Sequence, residues 1–573
     1  MSLLRDLTTI LIFFSVLTFS YLGWGWAVSR LFSIKFSGSE KLFSLIWLGW
    51  TVTLLLLQVL NLFVPITASW SILLIVIGLI LAPIFFRSNI QDTAVFLKSY
   101  IWVALTGITA VAIALLSMQA STAYDSGLYH FNSIRWLNER PIVLGLGNLH
   151  SRLAFNQSFF AFAAFLNLYP IFNHGQNIAN GFLLFLLSAE CLSILLRQAK
   201  TDIQASNTFM IFVIPVIIYL GLYTNISSPA PDTATYILQI LIFTYFIHAI
   251  ADSPTYNNDD SRILFVFILA ATAITVKLSS LVFVITISLL LLVSKLKHRH
   301  PTPKQAIINI SKMLVLPAII MMIWGLRGIL TSGCPVYPST LGCIRASWSV
   351  PTELVKNVAN VIYSWARLPR EAPEKVLSSW NWLEPWFHTE ILGNKLLFVY
   401  PLIAAGLCLI LCVFASIRGS HLKTMNKYLF LLPLPILMGL VFWFFTAPSV
   451  RFAQALVLMF PIVSVVILTS LLERSGKLGI GVLIVLFLVI NLNIVSVVWQ
   501  NPQPLIEISI RSFRPVKTVR LIQRTTLSGL EVFSPKKDDQ CWDSELPCTP
   551  EFREELEFDD NIIFPEFRLV LRE

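Results

Sequence analysis

The chain of 573 residues is 56% hydrophobic and only 13% charged, with a mean hydropathy of +0.75. Soluble domains contain about 45–50% apolar and about 25% charged residues, so the composition excludes an ordinary soluble enzyme and indicates an integral membrane protein. The net charge of +10 does not indicate a nucleic-acid partner. Most Lys and Arg residues lie in short loops beside apolar segments, where membrane orientation and anionic lipid account for them.

About fourteen apolar segments have the length and hydropathy of membrane-spanning helices, which need roughly 20 apolar residues. They are residues 8–28, 42–63, 69–86, 100–118, 179–197, 207–223, 233–250, 262–276, 280–295, 313–330, 396–415, 428–446, 452–471 and 478–498. The segment 156–170 is shorter and contains several polar residues, so we expect it to enter the bundle without crossing. These segments predict an all-α polytopic bundle.

The Lys/Arg bias of the short loops sets the orientation. The strongest basic loop is SKLKHRHPTPKQAIINISK, residues 294–312, which should be cytoplasmic. Alternation then places the loops 119–178 and 331–392 on the extracytoplasmic side. We therefore expect a multi-pass membrane protein with a transmembrane domain over residues 1–499 and a small extracytoplasmic tail over residues 500–573.

An unusual density of ionisable residues occurs in YDSGLYHFNSIRWLNERPIVLGLGNLHSRLAF, residues 124–155. Asp125 follows the fourth span closely and should lie near the water interface. Apolar residues recur every third position after it, which predicts a short helix on the membrane surface. The stretch also carries His130, His150 and Arg152. Its apolar contacts and turns are those of a loop that folds back over the bundle.

Four further charged residues lie at comparable depth in the bundle: Asp232, Lys277, Arg327 and Arg451. A charge at membrane depth costs about 2.5–3.5 kcal/mol on insertion scales, so each is a functional candidate. Structural roles are the alternative, since the arginines can extend to the interface and Asp232 can cap a helix. The predicted topology places these residues at the same face as Asp125, which favours a shared site.

The external loop 331–392 contains ELVKNVANVIYSWARL, whose apolar residues recur on one helical face. Such a face is typical of a helix in the membrane interface, although packing against spans would explain it equally well.

The seven cysteines divide into three in spans and two close pairs in predicted external segments. Cys334 and Cys343 form one pair, and Cys541 and Cys548 form the other. Disulfides persist outside the cytoplasm, so we expect both pairs to be disulfide-bonded; free thiols are the alternative. The spacing does not match a CxxC zinc site.

Acids and bases at one membrane face predict chemistry on an anionic, lipid-linked substrate. A carboxylate can take a proton from an acceptor hydroxyl, and Lys and Arg can hold a phosphate leaving group. The sequence has no P-loop, no GxGxxG after a strand and no HExxH. A nucleotide is therefore not implied.

At these residues the sequence resembles the GT-C superfamily of polytopic glycosyltransferases, which use polyprenyl-phosphate sugars. It more closely resembles an uncharacterised set of bacterial membrane proteins, cyanobacterial ones among them, that carry versions of YDSGLYH, GLGNLHSRLAFN, SSPAPD, RGILTSGCPVYP and CWDSELPCTP. The resemblance implies a catalytic or acceptor-orienting acid at Asp125 and a second acid at Asp232. About four spans precede Asp125, whereas GT-C enzymes usually have one. Ser126 stands where a paired acid would be, so a metal is not implied, although a divalent ion is not excluded.

The expected function is sugar transfer from a polyprenyl-phosphate donor to an extracytoplasmic glycan, lipid or protein of the cell envelope. Asp125 and Asp232 would be the catalytic carboxylates. The substrate would be bound by the remaining candidates, which are His130, His150, Arg152, Lys277, Arg327 and Arg451. The implied partners are the lipid-linked donor, the acceptor and membrane lipid, and no cofactor is implied.

Two other functions fit the same sequence. An enzyme resembling O-antigen polymerases or ligases would rely on the loop arginines Arg345, Arg367 and Arg370. A transporter or lipid flippase would place charges near the bilayer midplane in two matching halves, and no such halves are visible.

Overall fold

The computed structural model describes residues 2–36, 38–88, 99–198, 204–252, 260–297, 303–418, 427–472, 513–560 and 564–570. Within this part of the chain, twelve helices are long and apolar enough to cross a membrane, so the protein is a mostly helical, multi-pass membrane protein. The helices are α1 (Ser2–Leu31), α2 (Lys41–Leu60), α3 (Ala68–Ser88), α4 (Tyr100–Ser117), α5 (Phe131–Glu139), α6 (Leu146–Leu149), α7 (Phe159–Leu166), α8 (Gly175–Gln198), α9 (Ala205–Tyr223), α10 (Pro231–Ile247), α11 (Asp260–Val276), α12 (Leu281–Lys297), α13 (Pro303–Ser332), α14 (Thr352–Arg367), α15 (Pro373–Leu377), α16 (Leu383–Trp386), α17 (Tyr400–Arg418), α18 (Pro433–Thr446) and α19 (Val450–Leu472).

Twelve of the fourteen predicted spans coincide with the twelve helices that are long and apolar enough to cross a membrane. The predicted span 262–276 forms α11, which has 17 residues and is about 26 Å long. The predicted span 478–498 lies outside the described residues. The segment 156–170 forms only α7, an eight-residue helix about 12 Å long. Since the hydrocarbon core is about 30 Å thick, α7 does not cross it.

Helix α10 is the centre of the bundle. Its residues from Thr233 to Ile247 are all buried, as expected for a helix that is apolar on every side. Its helical path continues to Asp252, and the 22 residues from Pro231 to Asp252 span about 33 Å. Asp232 and Asp252 therefore lie at opposite ends of the bundle, which we name the Asp232 end and the Asp252 end.

The first two helices approach each other through small residues. A Cβ atom at Gly25 would lie 1.8 Å from the Leu45 carbonyl oxygen, and one at Gly49 would lie 1.8 Å from the Tyr21 carbonyl oxygen. Only glycine permits such an approach, which is a common way for membrane helices to pack.

The predicted short helix after Asp125 is present, but its apolar face is buried in the protein and is not turned toward lipid. A wide helical turn, Ser126–His130, leads into α5. Phe131 and Ile134, on the apolar face of α5, are buried. The C-terminal tail covers this region, so the apolar face packs against protein instead of lipid.

The described tail adds β-structure, so the fold is all-α only in the bundle. Strands β1 (Leu521–Thr525) and β2 (Glu531–Pro535) form one antiparallel hairpin, and β3 (Leu556–Asp559) and β4 (Glu566–Leu569) form another. The Arg514 amide donates to the Met118 carbonyl at 3.3 Å. This contact places the start of the described tail at the Asp232 end.

The predicted amphipathic helix of the external loop is α14. Val355 is buried in a small cluster with Tyr337 and Val350, whereas Trp365 remains 54% exposed. The apolar face is therefore only partly covered by protein.

Candidate functional site

Four charged side chains meet at the Asp232 end: Asp125, Asp232, Lys277 and Arg451. We name them the Arg451 cluster. Arg451 Nη2 donates to Asp125 Oδ2 at 2.8 Å, and its Nε lies 3.8 Å from Asp232 Oδ2. Lys277 Nζ donates to Asp232 Oδ1. The structure thus joins four of the predicted site residues, from four separate segments, in one network.

Local sequence features direct these side chains to one place. Pro231 begins α10 and puts Asp232 in its first turn, while Ala230 occupies the cap position, so Asp232 pairs with Lys277 instead of capping the helix. Lys277 is an extended residue between α11 and the turn that precedes α12. The Val450 amide donates to the Glu390 carboxylate at 2.7 Å, which fixes the first turn of α19 and hence Arg451.

An aromatic ring supports both cations of the cluster. Lys277 Nζ lies 4.4 Å from the centroid of the Phe452 ring, and Arg451 Cζ lies 4.8 Å from it. The π-face attracts a cation without neutralising it. Phe452 therefore holds two positive charges close together while leaving their N–H groups available for other acceptors.

Exposure differs sharply within the cluster. The Arg451 side chain is 48% exposed, whereas those of Asp125, Asp232 and Lys277 are 14–17% exposed. Arg451 is thus the cation that a ligand can reach, and it is shared between two acids. A phosphate or carboxylate group can compete for it, because a guanidinium has five donors and binds such groups in a bidentate manner.

Asp125 is ionised at neutral pH. Burial raises the pKa of its carboxyl group, but the charge of Arg451, with a contribution from Arg152, lowers the pKa to about 2. A carboxylate with so low a pKa is a weak proton acceptor. Asp125 can act as a base only in a state in which Arg451 has other partners.

His130 lies beside this network but is neutral. Burial lowers its pKa to about 3, against the opposing effect of Asp125 and Asp232. Its Nδ1 is 3.2 Å from the Ser126 hydroxyl, and its ring packs against Phe160. The neutral His130 side chain therefore contributes to the packing around Asp125 and does not act as a charged group there.

Arg152 supplies a further positive charge next to Asp125. It is half-buried in the turn Ser151–Phe155. Its charge helps to lower the pKa of Asp125 and opposes the rise in the pKa of Tyr124 that burial and Asp539 cause, so it faces the same segment. Among the described residues it has no hydrogen-bond or ion-pair partner, which leaves its donors available to an anionic ligand.

His150 is turned away from the cluster. Its Nε2 lies 3.6 Å from Glu551 Oε1 in the tail, and burial lowers its pKa to about 4. The structure therefore separates His150 from the Arg451 cluster, although Arg152 lies near it, and places it at the boundary between bundle and tail.

Comparison with known families gives one match. The model of the family described as a domain of unknown function (DUF8201) matches residues 7–460. The chain belongs to this family. The match includes all four residues of the Arg451 cluster and ends before the tail. No curated protein matches the chain, and no solved structure matches it.

Arg327 of this DUF8201 chain is not brought to the cluster. It is buried near the end of α13, where its guanidinium donates to the Gln58 carbonyl oxygen at 3.0 Å and to Asn61 Oδ1 at 3.1 Å. It is therefore separate from the group predicted to hold a donor phosphate.

The tail encloses the segment that carries Asp125, which the sequence reasoning missed. The Tyr124 hydroxyl donates to Asp539, and the Trp542 amide donates to the Gly127 carbonyl at 2.7 Å. A Cβ atom at Gly127 would lie 2.4 Å from the Trp542 ring, so the indole lies directly on the glycine. Asp125 is held from one side by Arg451 and on its flanks by the tail.

Both predicted cysteine pairs are bonded in the structure, Cys334 to Cys343 and Cys541 to Cys548. The second bond closes the loop that presents Trp542. The three cysteines in spans, Cys191, Cys408 and Cys412, are free and buried.

The loop arginines do not join the cluster. Arg367 donates to the backbone carbonyls of Tyr363, Phe445 and Thr446, and its guanidinium lies 5.0 Å from the Trp382 ring centroid. Arg345 and Arg370 are exposed.

A metal site is not found within the part of the chain that the structure describes: no group of three or more His, Cys, Asp or Glu side chains is arranged to hold an ion. The Arg451 cluster contains as many bases as acids. Its chemistry is that of an anion site that exchanges internal ion pairs for a ligand.

Proposed function

We propose that this protein is a membrane glycosyltransferase that transfers a sugar from a polyprenyl-phosphate donor to an acceptor in the cell envelope. One observation carries the proposal: Arg451 is half-exposed at the Asp232 end and is shared between two carboxylates, with Lys277 and Phe452 beside it. This is a site in which an anionic group can replace an internal partner.

Binding of the donor would rearrange the cluster. The donor phosphate takes bonds from Arg451 and receives support from Lys277 and Arg152. The polyprenyl chain stays in the bilayer, because the first turns of α10 and α19 lie at the end of their spans. Lys277 keeps its bond to Asp232, so the second acid remains ionised.

The same exchange would activate Asp125. Once Arg451 faces the phosphate, its charge no longer lowers the pKa of Asp125, and burial raises the pKa toward the range useful for a general base. Asp125 then accepts the proton of the acceptor hydroxyl while the acceptor oxygen bonds to the anomeric carbon. The bond from that carbon to the phosphate oxygen breaks, and polyprenyl phosphate leaves with its new charge held by Arg451 and Lys277.

The distribution of basic residues supports an extracytoplasmic reaction. Arg30, Arg87, Arg197 and Lys295 end their helices at the Asp252 end of the bundle. By the positive-inside rule that end is cytoplasmic, so the Arg451 cluster faces the other side. We propose a bacterial inner membrane as the location.

The two alternative functions have less support. A mechanism based on loop arginines would use Arg345, Arg367 and Arg370, but Arg367 is engaged by three backbone carbonyls, and neither of the exposed arginines has an ion-pair partner among the described residues. A transporter requires charged binding groups near the midplane, whereas the Arg451 cluster lies at one end of the bundle.

Ligand binding tests the proposal directly. The purified protein should bind undecaprenyl phosphate more tightly than the uncharged alcohol undecaprenol. Arg451→Gln should raise the Kd for undecaprenyl phosphate at least about tenfold, since a hydrogen bond to a charged group contributes about 1.5–3 kcal/mol. Arg140→Gln is the matched control, because Arg140 is a surface residue paired with Asp560. Equal binding of the phosphate and the alcohol by the wild type would refute the proposed site.

A further inference from the structure

Arg327 is a buried cation that has no acidic partner among the described residues. Its side chain is almost fully enclosed, and two of its five N–H donors are used, both on neutral acceptors at the end of α2, the Gln58 carbonyl and Oδ1 of the C-cap residue Asn61. Asn61 is held in this orientation because its amide donates to the Arg140 carbonyl at 3.1 Å. A buried charge without a counter-charge is strongly unfavourable, so these contacts alone do not account for Arg327.

A small cavity of about 50 Å³ adjoins the Arg327 side chain. Arg327 is the only charged residue among the described residues that line it. Trp136 belongs to the same lining, and its indole Nε1 is buried without a hydrogen-bond acceptor in the described part of the chain. Unused donors of a cation and of an indole thus border one small space.

The cavity also contains acceptors that lack donors. The side-chain oxygens of Gln58 and Gln157 line it and are buried without partners among the described residues. A hydrated anion satisfies both groups, because the ion accepts from Arg327 and Trp136 while its water donates to the amide oxygens. The volume corresponds to roughly three to five waters, which suits a monatomic ion with one or two waters.

We propose that this cavity is a binding site for a chloride-sized anion, with Arg327 as its counter-charge. The site is distinct from the Arg451 cluster and does not depend on the proposed glycosyltransferase activity. Its walls come from α2, from α5 and from α13, and α5 belongs to the segment that carries Asp125. An anion here would tie these three helices together beneath the region that the tail covers.

Thermal unfolding of the purified full-length protein tests the proposal. At constant ionic strength, replacing gluconate by chloride should raise the Tm, on the order of 1 °C for each tenfold rise in chloride above its Kd. Bromide should act like chloride. Arg327→Gln should abolish the dependence, while Arg568→Gln, at a surface position of the tail where Arg568 pairs with Glu557, should keep the wild-type slope. The proposal would be overturned if the wild-type Tm changed with neither chloride nor bromide, or if it changed with phosphate alone.

Two further measurements keep the test decisive if Arg327→Gln does not fold. Trp136→Phe removes one donor and keeps an aromatic ring at the position, and it should weaken the halide dependence of the Tm. Crystals grown in bromide should show an anomalous peak beside the Arg327 guanidinium. A cavity without that peak in well-diffracting bromide crystals would mean that water alone occupies it and would overturn the assignment.

Discussion

The two ends of α10 both carry acids and bases, but they use them differently. At the Asp252 end, Arg262 Nε donates to Glu40 at 2.7 Å and its Nη2 contacts the same carboxylate. His248 lies 3.6 Å from Glu40 and 3.5 Å from Asp252. At the Asp232 end, Arg451 is shared between Asp125 and Asp232, and Lys277 also pairs with Asp232. The charged groups at the Asp252 end thus have fixed partners, whereas the half-exposed Arg451 at the Asp232 end is shared between two carboxylates.

The acid at the Asp252 end also completes a backbone structure. Asp252 accepts hydrogen bonds from the Ala205 and Ser206 amides at 2.8 and 3.0 Å, which caps the first turn of α9. Its counterpart Asp232 caps nothing. Charges of similar type therefore have a structural role where neighbours satisfy them and are available to a ligand where they do not. Exchanging one acid at each end separates the two roles.

The largest expected effect is on catalysis at the Asp232 end. Asp125→Asn keeps the shape of the side chain but removes the proton acceptor. It should lower sugar transfer from a polyprenyl-phosphate sugar by about 10²–10⁴-fold, the usual contribution of a general base. The measurement is initial rate with labelled lipid-linked donor, with Glu40→Gln as the matched change at the other end.

This prediction separates the roles because stability should respond in the opposite order. Asp125→Asn leaves Arg451 paired with Asp232 and half in solvent, so the Tm should change little. If the Asp125→Asn protein transferred sugar at the wild-type rate, Asp125 would not be the general base, and the Asp232 end would have no demonstrated catalytic role.

The next effect is on stability at the Asp252 end. Glu40→Gln leaves the Arg262 guanidinium and His248 without their shared carboxylate in a poorly exposed site. Removing one member of a buried ion pair costs 3–5 kcal/mol, and the partial exposure here lowers the expected loss to about 2–3 kcal/mol. Thermal or denaturant unfolding in detergent measures it. A loss no larger than that of Asp125→Asn would show that the two ends are energetically alike.

The tail makes the Asp232 end sensitive in a different way. Gly127→Ala should destabilise the protein by about 2 kcal/mol, because the new methyl group would overlap the Trp542 ring. Trp542→Ala makes room for the methyl group, so the double variant should lose less than the sum of the single changes. Additive losses in unfolding experiments would mean that Trp542 does not lie on Gly127 in solution.

The Arg451 cluster could be predicted from sequence because of the membrane itself. Isolated charges in apolar segments are costly, so Asp232, Lys277 and Arg451 stood out, and the alternation of spans placed them with Asp125. Helix positions followed from runs of apolar residues. The same reasoning could not separate Arg327, because hydropathy gives the depth of a residue but not the side of the helix that it occupies.

The role of the tail could not be predicted because its contacts join positions about 400 residues apart. Trp542 and Gly127 are unremarkable individually, and only the fold shows that one covers the other. The cluster at the Asp252 end was missed for a similar reason. Glu40, His248 and Arg262 lie at loop boundaries, where charges are common and carry no signal of their own.

The smallest effect concerns pH and the boundary between bundle and tail. His150 has a pKa of about 4 in the folded protein because burial disfavours its charged form, whereas an unfolded histidine has a pKa of about 6.5. Well above pH 6.5, His150 is neutral in both the folded and the unfolded protein, so it does not reduce the free energy of unfolding. As the pH falls from 6.5 toward 4, only the unfolded state takes up a proton, so stability decreases, by about 1–2 kcal/mol between pH 7 and pH 5. His150→Gln should flatten the Tm profile over this range, whereas His388→Gln, at an exposed position, should keep the wild-type slope. An unchanged slope in His150→Gln would mean that the tail does not enclose this histidine, and that the Asp232 end is as open around Arg152 as it is at Arg451.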